Sequence, residues 1–105
     1  MYLILTSTYP FTKQAETEKA FFKAMEKNPT PAYIKPATPL AVRAGRAGIE
    51  TLAVYEIDKG KIEEATNFIA KALQEYWGIE GYTYELTTWM TGPEAFATIG
   101  KKMPE

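Results

Sequence analysis

The sequence predicts an α+β fold whose elements follow the order strand, helix, strand, strand, helix, strand. Three observations support this prediction: two segments carry apolar residues at helical spacing, β-branched and aromatic runs flank them, and a proline-rich segment separates the first helix from the central strands. A chain of 105 residues has the usual size of one domain, so residues 1–105 are predicted to form a single domain.

The first strand and the first helix follow one another at the start of the chain. Residues 2–8, YLILTST, are a β-branched and aromatic run that Pro10 closes, which is typical of a strand. Residues 13–27 are predicted to form a helix. Its expected apolar stripe consists of Phe21, Phe22 and Met25, extended by Ala15 and Glu18.

A proline-rich segment follows the first helix. Residues 29–39, PTPAYIKPATP, contain four prolines, and proline cannot donate to a sheet ladder. The segment therefore predicts an edge strand that is interrupted, with one piece over residues 33–35 and a second over residues 40–43.

The next segment, 43-RAGRAG-48, has two interpretations. It holds the only two arginines of the chain, so Arg43 and Arg46 are candidate anchors for an anionic ligand. Gly45 and Gly48 can supply the positive φ of a hairpin turn. A phosphate loop normally leads into a helix, and a strand follows here, so the sequence favours a plain turn.

The second half of the chain contains a strand, a helix and a strand, followed by a short helix. Residues 49–57 are apolar on both parities at their centre, which predicts a central strand. Residues 61–77 carry a continuous apolar stripe and are predicted to form a helix. Residues 82–91 alternate like a strand, and a short helix is predicted over residues 94–103.

This order predicts a ferredoxin-like βαββαβ fold: a four-stranded antiparallel sheet with two helices on one face, plus a short C-terminal helix. Right-handed crossovers place both helices on the same side of the sheet. The other side of the sheet is not covered by a helix. It carries apolar residues whether the odd-numbered or the even-numbered strand residues face it. A large exposed apolar patch usually indicates a partner.

The element order, the small size, the central strand and the segment after the last strand resemble the dimeric α/β-barrel superfamily. The ending 86-LTTWMTGPEAFATI-99 is similar to the strand–turn–helix ending of small members. The resemblance covers almost the whole chain and implies a homodimer in which two sheets pack face to face. The superfamily includes small monooxygenases, isomerases, ligand sensors and haem-handling proteins, and the last generally use a histidine ligand that this chain lacks.

The residue types that the chain lacks exclude several chemistries. Without cysteine or histidine there is no disulfide, no thiolate nucleophile and no serine–histidine triad. The usual ligands of haem and zinc are also missing, so neither a cofactor nor a metal site is predicted.

Charge and hydropathy also restrict the partners. The pI of about 5.6 and the net charge of −1 do not favour a polyanion. The RNA-recognition motif shares the predicted topology, but its strands need stacking aromatics where this chain offers only Tyr2 and Tyr55. The opening MYLILTSTYP is too short for a signal-peptide core or a membrane span. We therefore expect no nucleic acid and no membrane partner, and a cytoplasmic location.

Two groups of residues are candidates for a functional site. Strand and helix aromatics are more often core than active site, but they could also line a pocket between sheet and helices for a small ligand; the candidates are Tyr2, Phe21, Phe68 and Tyr84. Glu56 and Glu85 lie inside strands. Burial would make either of them a candidate general base, whereas at the sheet edge or at the rim of a dimer interface they would be solvated or ion-paired.

Three functions remain open from the sequence. The first is a small cytoplasmic protein that binds an apolar or weakly acidic molecule in a sheet–helix pocket. The second is a cofactorless enzyme of the monooxygenase or isomerase kind that uses a strand glutamate. The third is a structural or interaction module without a ligand.

Overall fold

A computed structural model describes residues 1–104 of the chain as five strands and three α-helices. Short 3-10 helices precede the first α-helix and follow the second, over Phe11–Lys13 and Gln74–Tyr76. The elements are β1 Tyr2–Tyr9, α1 Gln14–Lys27, β2 Ile34–Pro36, β3 Ala41–Ala44, β4 Ile49–Ile57, α2 Ile62–Leu73, β5 Thr83–Trp89 and α3 Gly92–Thr98.

The strands form one antiparallel sheet in the order β2–β4–β1–β5, and β3 pairs with the other end of β4. Ile34 pairs with Ile57 near the end of β4, and Ala44 pairs with Ile49 at its start. β2 and β3 are thus two pieces of one edge strand, as predicted. The sheet has five strands rather than four because the segment around Pro39 leaves the ladder between the two pieces.

Both helices pack on the same face of the sheet, which confirms the ferredoxin-like arrangement. Leu3 of β1 is fully buried and belongs to one core cluster with residues from both helices. In α2 the buried positions are Ala65, Ile69 and Leu73, which follow the predicted stripe. We call the opposite sheet surface the open face; the paired residues Ile4 and Val54 lie on it, because they alternate with residues that face the helices.

The packing face of α1 differs from the prediction. The buried residues are Thr17, Ala20 and Ala24, whereas Phe22 and Met25 of the predicted stripe are 61% and 57% exposed. Small residues let the helix backbone lie close to the neighbouring elements, so the helix packs through the face that carries these small residues. The large side chains on the adjacent face are left at the surface.

The last helix begins two residues earlier than predicted. Gly92 and Pro93 form its first turn instead of preceding it, since proline is compatible with the first helical positions. Thr91 caps the helix: its Oγ1 accepts a hydrogen bond from the Glu94 backbone N–H at 3.2 Å, and its own N–H donates to Glu94 Oε1 at 2.8 Å. The Thr91 backbone N–H, together with the N-terminal amine, lowers the pKa of the Glu94 carboxyl to about 2.

The segment 43–48 forms the hairpin turn that the sequence favours. The Gly45 N–H donates to the Gly48 carbonyl oxygen at 2.7 Å, and β3 and β4 pair on either side. Gly48 has a φ of +139°, and a Cβ built there would lie 2.1 Å from the Tyr9 carbonyl oxygen. Gly45 has no positive φ, so only one of the two glycines meets the prediction on this point.

Gly48→Ala should therefore destabilise the fold by more than about 1 kcal/mol, for two reasons. Alanine is strained at this positive φ, and its Cβ would clash with the main chain of β1. Gly45→Ala is the matched control. The added Cβ there meets only the flexible side chain of Glu50, so its effect should be smaller. Urea unfolding of both variants measures the difference, and equal midpoints would contradict this account of the turn.

None of the helices described within residues 1–104 is long and apolar enough to cross a membrane.

Candidate functional site

A cavity of about 380 Å³ lies between the sheet, α1 and α2. Its floor is the helix-facing side of β1 and β4, where Ser7 pairs with Thr51 and Leu5 pairs with Ala53. The helices contribute Ala24 and Ala72 to its walls, together with larger residues. The space exists because the side chains that face one another between sheet and helices are small at these positions, and larger side chains would fill it.

Six aromatic residues line this cavity. Phe21 comes from α1 and Phe68 from α2, and the other four are tyrosines from the sheet and from the segment after α2: Tyr9, Tyr55, Tyr76 and Tyr82. The cavity thus has a mainly apolar lining with several phenol groups, which is the usual composition of a site for a small organic molecule.

Three of the tyrosines are stacked. The ring centroids of Tyr76 and Tyr82 are 4.8 Å apart with an interplanar angle of 18°, and those of Tyr9 and Tyr82 are 6.1 Å apart at 17°. Burial raises the pKa of Tyr76 and of Tyr82 above the ordinary phenol value of 10.0, and neighbouring phenols raise both further. At neutral pH these phenols are uncharged, as ordinary phenols also are, and they can donate hydrogen bonds.

Hydroxyl groups lie at the centre of the floor. The side chains of Ser7 and Thr51 are hydrogen-bonded to each other across the β1–β4 pair. The Ser7 hydroxyl also partly offsets the burial that raises the pKa of Tyr82. Ser7 is only 6% exposed, so the floor offers polar groups inside an otherwise apolar space.

The mouth of the cavity opens between α1 and the β3 edge of the sheet. Met25, Leu40 and Val42 line the cavity and are 57%, 51% and 60% exposed. Glu18 on α1 also lines the cavity, and its side chain accepts a hydrogen bond from Gln14 Nε2 at 3.1 Å. This carboxylate is near enough to Tyr9 to raise the pKa of that phenol, in addition to the larger effect of burial.

The four predicted pocket residues divide into three groups. Phe21 and Phe68 line the cavity. Tyr84 lies on the same sheet face, with its ring centroid 6.3 Å from that of Tyr82, but outside the cavity. Tyr2 alternates with buried Leu3 and therefore lies on the open face, on the side of the sheet away from the cavity.

The two candidate catalytic glutamates do not face the cavity. Glu56 pairs with Tyr2 and Glu85 pairs with Thr6, so both lie on the open face, and both are exposed. Neither meets the condition of burial on which a general-base role depended.

The two candidate anion anchors lie at the hairpin, away from the cavity lining. The Arg43 guanidinium is engaged by Glu50, with Nε 3.0 Å from Oε2 and a terminal nitrogen 3.4 Å from Oε1. Arg46 is exposed in the turn itself. The structure therefore does not bring these arginines together with the predicted pocket residues.

Sequence reasoning did not identify the four cavity tyrosines, the Ser7–Thr51 pair or Glu18 as site residues. The signal that could have found the strand residues among them, namely Ser7, Tyr9, Thr51 and Tyr55, is the parity of β1. Leu3, Leu5, Ser7 and Tyr9 share a face, and the paired odd-numbered residues of β4 share it with them. That parity was hidden because the even-numbered residues of both strands are also partly apolar.

The raised pKa values of the tyrosines predict a loss of stability in alkali. A phenol whose pKa is raised in the folded state stabilises the fold fully below the unfolded pKa of 10.0, and this contribution falls as the pH rises further. Urea unfolding between pH 9 and about pH 12 should show a falling free energy of unfolding. Tyr76→Phe should flatten that slope, because it removes one of the groups, and an unchanged slope would contradict the assignment.

Within residues 1–104, no cluster of three or more histidine, cysteine, aspartate or glutamate side chains has the geometry to hold a metal ion.

Comparison with known proteins supports the fold class alone. The chain is similar to a formyltetrahydrofolate deformylase from Pseudomonas putida KT2440, with 15% identity and a TM-score of 0.54 over 85% of this chain, and it spans 29% of the length of that protein. It is also similar, with TM-scores of 0.44, to the C-terminal domain of MgtC from Mycobacterium tuberculosis (11% identity, covering 87% of this chain and 90% of that one) and to the de novo designed protein Foldit4 (13% identity, 85% and 96%). No family model and no curated protein matches the sequence.

Proposed function

We propose that this protein binds a small, mainly apolar organic molecule in the cavity between its sheet and its helices. The observation that carries the proposal is the cavity itself, about 380 Å³ in volume and lined by six aromatic residues. This volume falls within the range of about 300–1,000 Å³ that is usual for small-molecule sites. The hydroxyls of Ser7 and the tyrosines are the polar groups that would orient such a molecule.

The structure favours an apolar ligand over an acidic one. Among the described residues that line the cavity, none is a lysine or an arginine, and Glu18 contributes a negative charge at the mouth. A weak acid would have to enter in its uncharged form. The enzyme alternative required a buried glutamate facing the cavity, and Glu56 and Glu85 lie on the other side of the sheet. The cytoplasmic location stays a prediction from the sequence.

Filling the cavity tests this proposal. Ala72 lines the cavity, so Ala72→Leu should place an isobutyl group in the ligand space and weaken binding of an uncharged probe such as N-phenylnaphthylamine by about tenfold or more. Ala70→Leu is the matched control, because Ala70 is exposed on the same helix and outside the cavity. Probe fluorescence gives the affinities. Equal binding by both variants, or no binding by the parent, would contradict the proposal.

We also propose that two copies of the chain pair through their open faces, as in the dimeric α/β-barrel superfamily. The centre of this face carries Ile4, Val54 and Leu52, and Trp89 lies at the end of β5. Leu52 is 41% exposed and Trp89 is 56% exposed, which is a large apolar surface to leave in water. Covering it with a second copy would remove that surface from solvent without involving the cavity.

Light scattering tests the dimer. A specific interface should bury about 1,200 Å² or more and give twice the chain mass at micromolar concentration. Leu52→Lys should shift the monomer–dimer equilibrium towards the monomer, because it places a charge in the apolar centre of the open face. Leu40→Lys makes the same change at a comparably exposed leucine beside the cavity mouth and should leave the mass unchanged. A monomeric parent would overturn the proposal.

A further inference from the structure

We infer that the cavity selects an organic cation: a protonated amine attached to an aromatic or otherwise apolar body. This inference rests on the proposed function, since it names the chemical class of the ligand for the same cavity. It goes further because it assigns a charge to the ligand and a specificity role to Glu18.

The charge of the cavity lining favours a cation. Glu18 is the only charged residue among the described residues that line the cavity. A ligand that enters between α1 and the β3 edge therefore meets one negative charge, which no basic lining residue offsets. The arginine nearest in the chain to this edge, Arg43, already contacts Glu50 on the other sheet face.

The aromatic walls of the cavity also favour a cation. The face of an aromatic ring carries a partial negative potential that attracts an ammonium group, and the attraction increases when the pair is removed from water. Phe21, Phe68 and four tyrosines surround this space. The two tyrosines whose rings are closest together, Tyr76 and Tyr82, are uncharged phenols at neutral pH, and burial raises the pKa of both above the ordinary value, so they present neutral ring faces.

The carboxylate of Glu18 shares the cavity lining with the stacked tyrosines. Glu18 and Tyr9 line the same cavity, and the carboxylate adds to the larger effect of burial in raising the pKa of the Tyr9 phenol. Tyr9 is 8% exposed, whereas Glu18 lies at the exposed rim. The ammonium group is therefore expected beside Tyr9 and Glu18, with the apolar body between Phe21, Phe68 and Leu5.

A matched series of ligands tests the charge. Tryptamine, tryptophol and indoleacetate share one aromatic body and carry, at neutral pH, a positive charge, no charge and a negative charge. Titration calorimetry should give an affinity for tryptamine about tenfold above that for tryptophol. Indoleacetate should bind more weakly than either. The preference for the amine should shrink at high salt, because the carboxylate is exposed to solvent.

Two variants separate the role of Glu18 from a general effect of charge. Glu18→Gln should reduce the tryptamine affinity towards that of tryptophol and should lower the tryptophol affinity much less. Glu26→Gln removes the same charge from an exposed position on α1 outside the cavity, and it should keep the parent's order of affinities. Both residues are exposed, so neither variant is expected to unfold.

The outcomes also separate this inference from the function on which it rests. Equal binding of the three ligands, or tightest binding of indoleacetate, would overturn the cation while leaving the cavity as a ligand site. A preference for the amine that persists in Glu18→Gln would overturn the role of that residue. Absence of binding for all three ligands and for N-phenylnaphthylamine would overturn the proposed function itself.

Discussion

The antiparallel pairing of β1 with β4 is the constraint on which the rest of the structure depends. Eight residues of each strand pair in one register, from Tyr2 with Glu56 to Tyr9 with Ile49. This register places Leu3 in the core and Ser7 beside Thr51 on the cavity floor. A shift by one residue would exchange the two faces of the strand. The cavity, the open face and the site of helix packing all follow from this one ladder.

The order of the elements could be predicted from the sequence, but the assignment of faces could not. Proline and glycine mark the ends of most strands, so the βαββαβ order and the interrupted edge were accessible. The central strands are different, because apolar residues occur at both parities, as Ile4 and Leu5 illustrate. Periodicity alone therefore cannot decide which face of such a strand packs against the helices. Tyr2 was therefore assigned to the cavity, and the odd-numbered hydroxyls of β1 were not.

The first helix shows a second limit of sequence reasoning. Large apolar residues predict the buried face of a helix only when the neighbouring layer has room for them. α1 instead packs through Thr17, Ala20 and Ala24, which permit a close approach. Phe21 and Met25 are then left at the mouth of the cavity rather than inside the core. Two large residues of the predicted stripe thus contribute to the apolar lining of the candidate site instead of to the core.

The small residues that create the cavity also set a relation between stability and binding. Larger side chains at Ala53 or Ala72 would bury apolar surface that the cavity now leaves in contact with water, at about 25 cal/mol per Å². A ligand that fills the space supplies that burial and stabilises the folded state in proportion to the logarithm of its concentration. Residues that bind in this way are expected to be suboptimal for the stability of the empty protein. The alanines of the cavity fit this pattern, whereas Leu3, which is fully buried and does not line the cavity, contributes only to the core.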